Sequence, residues 1–194
     1  LDRIGDRGDR DSPAPAPAGR AAARAPWIIP RRRWISCGDG GASQGALNWI
    51  EERLFKTTTP PDEVAAIVVE AVQGEGGYHI ATQKMMKDLS RLCHTNNIPL
   101  IVDEVQTGMG RSGKWWAHEH YSFRPDIITS GKALHVAAVI SKKSMFPKES
   151  GSISSTWGGG HILDLALGVE TIRIIKEQKL LAHNTQMGKY LLAR

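Results

Sequence analysis

Two apolar runs with a helical stretch between them constrain the fold of this chain more than any other feature. The run VAAIVVE at residues 64–70 is almost continuously apolar and rich in β-branched side chains, which is typical of a strand buried on both faces. Residues 82–96 then carry apolar side chains at helical spacing, and a second apolar run follows at residues 98–102. Strand, helix and strand in this order predict a βαβ unit with two parallel strands. The helical stripe consists of Met85, Met86, Leu89 and Leu92.

Further patterns predict two more strands and three more helices. The strands are predicted at residues 127–129 and 137–141, and the helices at residues 46–55, 161–178 and 180–192. Four strands are fewer than the five or six of an average sheet. We therefore expect an α/β fold, a mainly parallel sheet with flanking helices, that forms part of a larger domain. In the second of these helices one face is lined by Ile162, Leu165, Val169, Ile172 and Ile175.

The first 45 residues differ in composition from the rest. They hold eight Arg and no Lys, and they alternate Pro and Ala at residues 13–17, which favours extended chain. Four Asp within the first dozen residues argue against a transit peptide, because such peptides avoid acids. We expect residues 1–45 to be a disordered leader, unrelated or foreign to the body at residues 46–194.

Charge and cysteine content exclude several classes of protein. The formal charge of +5 falls to +2 when residues 1–45 are left out, so we expect no nucleic-acid partner. No apolar stretch approaches the length of a membrane span, and we expect no membrane association. Cys37 and Cys93 make no disulfide framework, which indicates a reducing, cytoplasmic compartment. His118 and His120 lack the i, i+4 spacing of a helical metal site, so we expect no metal.

Two reactive groups follow neighbouring predicted strands. Asp103 comes directly after the run at residues 98–102, and Lys132 follows the run at residues 127–129. In an open parallel sheet, ligands bind outside the carboxyl ends of the strands. An acid that can hold a ring nitrogen protonated, beside an amine that can form an imine, indicates carbonyl or amine chemistry.

The segment between these groups also contains a possible nucleotide motif. Gly108, Gly110 and Gly113 fit the pattern G-x-G-x-x-G. Dinucleotide sites need such glycines in the first turn after a strand, with a helix starting there. Here residues 103–107 separate strand and glycines, and Lys-Trp-Trp follows instead of a helix with an apolar stripe. A turn is favoured, and a dinucleotide-binding domain is kept as an alternative.

Four motifs in the same order resemble the class-III aminotransferases, pyridoxal-phosphate (PLP) enzymes of fold type I. They are EAVQGEGG at 70–77, IVDEVQTGMGRSGKWWAHEH at 101–120, PDIITSGKAL at 125–134 and SSTWGGG at 154–160. The family includes the 4-aminobutyrate, ornithine and lysine side-chain aminotransferases. The resemblance covers residues 46–194 and implies part of the large domain of such an enzyme.

The resemblance implies a role for each of four residues around the cofactor. Lys132 would form the Schiff base with PLP and shuttle the proton, and Asp103 would pair with the pyridine nitrogen. Val105 would pack on the ring, and Gln106 would hydrogen-bond its phenolic oxygen. The implied reaction transfers an amino group from an amino acid or ω-amine to a 2-oxo acid.

The resemblance also implies three residues at the edge of this site. Thr156 would contact the phosphate of the cofactor in a partner subunit, which implies a homodimer. Glu75 resembles the family's carboxylate switch for the substrate, and Glu70 would lie close to the cofactor and shape the substrate site.

The chain departs from the family pattern in several places. Ala71 stands where many members have proline, and the residues after Lys132 lack the usual glycine-rich run. The upstream phosphate-binding loop and the downstream small domain have no counterpart. We therefore expect a partial chain, the carboxyl half of the large domain. The alternative to an enzyme is a non-catalytic remnant that acts only as a folding or interaction module.

Overall fold

The computed structural model describes residues 40–75, 77–149 and 160–194. These residues contain four α-helices and four strands, together with one π-helix and four short 3₁₀ helices. The helices are α1 (Gly40–Trp49), α2 (Gln83–Thr95), α3 (Ile162–Glu177) and α4 (Leu180–Leu192). The strands are β1 (Ile67–Glu70), β2 (Leu100–Asp103), β3 (Ile127–Ser130) and β4 (Ala138–Ser141). The four predicted strands and the helices predicted at residues 82–96, 161–178 and 180–192 are therefore confirmed. Strands β1, β2 and β4 are shorter than the predicted runs, and β3 extends one residue further than its run.

The strands form one sheet in the order β1-β2-β3-β4. The first three strands are parallel, and β4 runs antiparallel to β3. A connection of only seven residues joins β3 to β4, which is too short for the crossover that a parallel pair requires. The expected α/β fold with a mainly parallel sheet is confirmed.

Helix α2 covers one face of this sheet. Thr82 caps its first turn, since the hydroxyl oxygen accepts a hydrogen bond from Met85 N at 3.2 Å. The predicted apolar stripe is buried against alternate strand residues such as Ile67 and Val102, which are fully buried. Tyr121 closes the cluster, and its hydroxyl group donates to the carbonyl oxygen of Ala81 at 2.9 Å. Each Å² of apolar surface removed from water stabilises the fold by about 25 cal/mol. The contact between α2 and the sheet is therefore the main stabilising layer.

The first helix differs from its prediction in position and form. Helix α1 begins at Gly40, inside the stretch assigned to the leader, and continues as a π-helix over Ile50–Thr58. The helical path ends before Pro60 and Pro61, whose rings cannot continue it. Leu47 and Ile50 contribute to the main core.

Helix α3 packs beside the segment that follows β3, and α4 packs against the glycine turn that follows β2. Ile175 of α3 joins Met109 and Leu134 in a second, smaller cluster. Gly168 allows the close approach, because a Cβ atom there would lie 2.9 Å from the carbonyl oxygen of Leu134. The predicted apolar face of α3 is not otherwise buried by the described residues: Ile162 is 83% exposed and Val169 is 70% exposed.

Candidate functional site

The register of the sheet brings three polar side chains into one row. Glu70 of β1 is the partner of Asp103 in β2, and Asp103 is the partner of Thr129 in β3. All three residues lie at the carboxyl ends of parallel strands. This is the edge at which open α/β sheets bind ligands.

Asp103 is held in place by the neighbouring strand and by its own loop. Its Oδ1 atom accepts a hydrogen bond from Thr129 Oγ1 at 3.0 Å and from Val105 N at 2.9 Å. Both bonds end on the same oxygen, so Oδ2 is left for a ligand as far as the described residues go. The side chain is half-buried.

Lys132 lies across the same edge, after β3 and the Ser130–Gly131 step. Its Nζ atom donates a hydrogen bond to Gln106 Oε1, although the two residues are 26 positions apart. The Lys132 backbone has a φ of +41°, in the left-handed region that non-glycine residues seldom occupy. Such strain is often found at functional sites.

Val105 and the loop that follows Glu70 lie beside the contact between Lys132 and Gln106. A Cβ atom at Gly131 would meet Val105 Cγ1 at 3.6 Å, so Val105 packs beside the segment that leads to the lysine. Glu70 Oε2 accepts a hydrogen bond from Gly74 N at 2.9 Å. A Cβ atom at Gly74 would lie 3.4 Å from Gln106 Cγ, which places this loop against the same glutamine.

The structure therefore brings most of the predicted site residues to one edge of the sheet. Lys132, Asp103, Val105 and Gln106 lie close together, and Glu70 lies beside them. Glu75 is in the adjoining loop with its side chain exposed. Thr156 lies outside the described residues.

Sequence analysis missed two residues of this site, Thr129 and Glu104. Thr129 gave no motif of its own, although its place at the end of a predicted strand could have indicated it. Glu104 follows Asp103 directly in the sequence, but no pattern there assigns it a role. It is only 1% exposed, and its carboxylate accepts four hydrogen bonds.

The electrostatics of Glu104 follow from these bonds. Burial alone would raise its pKa, because the charged form loses its hydration. Donors on His118, Thr107 and Ala117 outweigh that effect and hold the pKa of Glu104 below its ordinary value. Glu104 is therefore a carboxylate when the protein is folded at neutral pH.

The dinucleotide alternative is not supported by the position of its glycines. They lie in turns, and the next element is a short 3₁₀ helix, Ala117–His120, rather than an α-helix that starts at the motif. Gly110 instead packs against α4, where a Cβ atom would lie 2.8 Å from Leu181 Cδ2. Asn184 Nδ2 donates to the carbonyl oxygen of Gly110 at 3.0 Å, which fixes the turn to that helix.

Two kinds of feature are absent from the described residues. No helix there has the length and apolar character needed to cross a bilayer. No group of three or more His, Cys, Asp or Glu side chains in that part of the chain is placed to hold a metal ion.

Comparison with known proteins gives a family. The family model described as Aminotransferase class-III matches residues 40–194. The alanine/serine racemase of Pyrococcus horikoshii is 35% identical over 152 residues, which are 76% of this chain and 32% of the relative. The acetylornithine aminotransferase of Methanocaldococcus jannaschii is 39% identical over 137 residues, 69% of this chain and 34% of the relative.

A solved structure agrees with these matches. The ornithine aminotransferase of Toxoplasma gondii superposes with a TM-score of 0.64 and 34% identity, over 78% of this chain and 34% of that protein. That crystal structure contains PLP at partial occupancy in its active site. The chain spans about a third of the length of the curated relatives above. With the family model matching most of its residues, the chain belongs to the class-III aminotransferase family.

Proposed function

We propose that this chain forms the lysine and aspartate side of a PLP site and that the protein to which it belongs is an aminotransferase. The observation that carries the proposal is the convergence of Asp103, Gln106 and Lys132 at the ends of two adjacent parallel strands. The proposed reaction moves an amino group from an amino acid or ω-amine to a 2-oxo acid.

The donor set fits the cofactor by its chemistry. A carboxylate suits a protonated pyridine nitrogen, an amide suits a phenolic oxygen, and a primary amine suits an aldehyde. When bound, PLP supplies an electron sink for the substrate carbon that loses its proton. Asp103, Gln106 and Lys132 would hold it, and Val105 would contact the ring.

The chain's own residues have separate tasks in this proposal. Thr129 and Val105 N orient the Asp103 carboxylate, so that this charge is in place before the ligand arrives. Lys132 Nζ takes and returns the proton at the substrate carbon, a task that requires a mobile amine within reach. Gln106 holds that amine at the strand edge through its Oε1 atom.

Glu70, Glu75 and Thr156 complete the proposed site. Glu70 ends β1, and Glu75 lies in the following loop, which contacts Gln106 through Gly74. Carboxylates at this place can select among substrate charges. Thr156 would reach the phosphate of a neighbouring subunit, so the proposed working form is a homodimer.

Equilibrium binding tests the proposal. The 194-residue chain is titrated with PLP while the cofactor's absorbance is followed, beside Lys132→Ala and the control Lys143→Ala. We expect a saturable spectral change in the wild type and the control, and its loss in Lys132→Ala. A folded wild-type chain without any spectral change would instead favour the non-catalytic remnant.

A second measurement separates the reactions known among the relatives. Because one relative is an alanine/serine racemase, the full-length protein is incubated with L-alanine, or with an ω-amine donor, and a 2-oxo acid. Transfer of the amino group to the 2-oxo acid supports the proposal. Formation of D-alanine without transfer would contradict it.

A further inference from the structure

Glu104 lies at the junction between the strand that carries Asp103 and the loop that carries Val105 and Gln106. It is 1% exposed, although charged residues are seldom buried without partners. The backbone N–H and carbonyl groups of Glu104 also both form hydrogen bonds. Glu104 N donates to the carbonyl oxygen of Thr129 at 3.0 Å, and its own carbonyl oxygen accepts from Gly108 N at 2.8 Å.

The carboxylate collects donors from distant points of the following loop. Oε2 accepts from Ala117 N at 3.0 Å and from the hydroxyl of Thr107. Oε1 accepts from His118 N at 2.8 Å and from His118 Nδ1 at 3.0 Å. Since an ionised carboxylate only accepts hydrogen bonds, Nδ1 of His118 carries the proton in this contact.

These bonds close a loop of fourteen residues onto the end of β2. Val105 and Gln106 lie inside this closed segment, directly after the carboxylate and before Thr107. Gly108 tightens the same turn, because a Cβ atom there would lie 2.7 Å from the carbonyl oxygen of Glu104 and 2.8 Å from the Trp116 ring. The path of Val105 and Gln106 is therefore set by the hydrogen bonds of Glu104 and by the tight turn at Gly108.

We propose that Glu104 is a positioning residue for the cofactor site: its buried carboxylate fixes the loop so that Val105 and Gln106 face Lys132. The inference rests on the proposed function, because it concerns the same PLP site. A charged acceptor suits this task, since hydrogen bonds to an ionised group are about twice as strong as neutral ones. A low local dielectric strengthens them further.

The competing explanation is that Glu104 only stabilises the fold. The test therefore compares Glu104→Gln with Leu89→Ala, which opens a cavity in the fully buried α2 layer. Leu89 belongs to the main core cluster, whose members include none of the proposed cofactor residues. The dissociation constant for PLP is measured by spectral titration of the full 194-residue chain, at a temperature at which all variants are folded. Hydrogen exchange of segment 104–118 is measured in parallel without cofactor.

We expect Glu104→Gln to raise the dissociation constant about tenfold, as loss of a group that orients a ligand residue commonly does. Exchange should accelerate across segment 104–118, and Leu89→Ala should change the dissociation constant less than about twofold. Equal weakening in both variants, or an unchanged constant in Glu104→Gln, would overturn the inference. If the wild type binds PLP while Glu104→Gln binds equally well, the proposed function stands and only this inference fails.

A milder variant keeps the test decisive if Glu104→Gln does not fold. Thr107→Val removes one hydroxyl donor to Glu104 and keeps the shape of the side chain. The dissociation constant should rise in the same direction by about threefold, since one donor of four is lost. Thr107→Ser retains the donor and should bind like the wild type. Identical binding by both Thr107 variants would contradict the inference.

Discussion

The Thr129 hydroxyl donates a hydrogen bond to Asp103 Oδ1 at 3.0 Å, across the ends of two adjacent parallel strands. The two residues are also partners in the register of β2 and β3. The sheet itself therefore orients the carboxylate that we assign to the cofactor nitrogen.

Removing that hydroxyl should weaken both the fold and the site. We expect Thr129→Val to lower the free energy of unfolding by about 1 kcal/mol, the usual net value of one hydrogen bond, and to weaken PLP binding. Urea denaturation and spectral titration measure the two effects. Thr129→Ser keeps the donor and serves as the control. Tighter binding by Thr129→Val would contradict the assignment of Asp103.

Removing the Ser130 hydroxyl, unlike removing that of Thr129, should not lower the stability of the fold. Its side chain is 2% exposed, and within the described residues its Oγ atom has no hydrogen-bond partner. Burying an unsatisfied hydroxyl group is unfavourable, so Ser130→Ala should leave stability unchanged or raise it by up to about 1 kcal/mol. Urea denaturation decides the matter, and a loss of more than about 1 kcal/mol would show that the hydroxyl has a partner.

Glu104 should give the fold a specific dependence on pH. Its pKa is lower in the folded than in the unfolded state, so the folded protein binds fewer protons. Its contribution is fully present above the unfolded pKa of about 4.3 and is lost as the pH falls through the folded value. The stability difference between the wild type and Glu104→Gln should thus shrink below pH about 4.3. Urea denaturation across this range measures it, and a difference that grows on acidification would contradict the sign.

The backbone conformation of Lys132 should lower the stability of the fold, although its side chain is needed for the proposed function. Its φ of +41° is unfavourable for any residue with a Cβ atom. Lys132→Gly should therefore raise the free energy of unfolding by up to about 1 kcal/mol relative to Lys132→Ala, while both variants fail to attach PLP. Thermal or urea unfolding of the two variants without cofactor measures the difference. Lower stability of the glycine variant would argue against strain at this position.

The sheet and its covering helix could be predicted from sequence, because their signals are local. The β-branched runs before Glu70 and Asp103 and the stripe around Leu89 follow directly from side-chain periodicity. Most of the site was reached by resemblance and by the rule that parallel strands end at a common edge. The register that pairs Asp103 with Thr129 could not be predicted, because strand alignment depends on the packing of the whole sheet.

Other features depend on groups far apart in sequence. The partners of Glu104 lie as much as 14 residues later, and the path of the intervening loop decides that they meet. His118 was considered only as a metal ligand, for which the spacing is wrong. The exposure of Ile162 and Val169 could not be predicted from the spacing of apolar residues. An apolar helix face predicts that the face is buried but does not indicate which element covers it.

Chemical trapping of the cofactor tests the central claim most directly. The 194-residue chain is incubated with PLP, reduced with borohydride and digested, and the labelled lysine is located by mass spectrometry. We predict one stoichiometric label at Lys132, lost in Lys132→Ala and weakened in Asp103→Asn. A label spread over exposed lysines, with none at Lys132, would contradict the account.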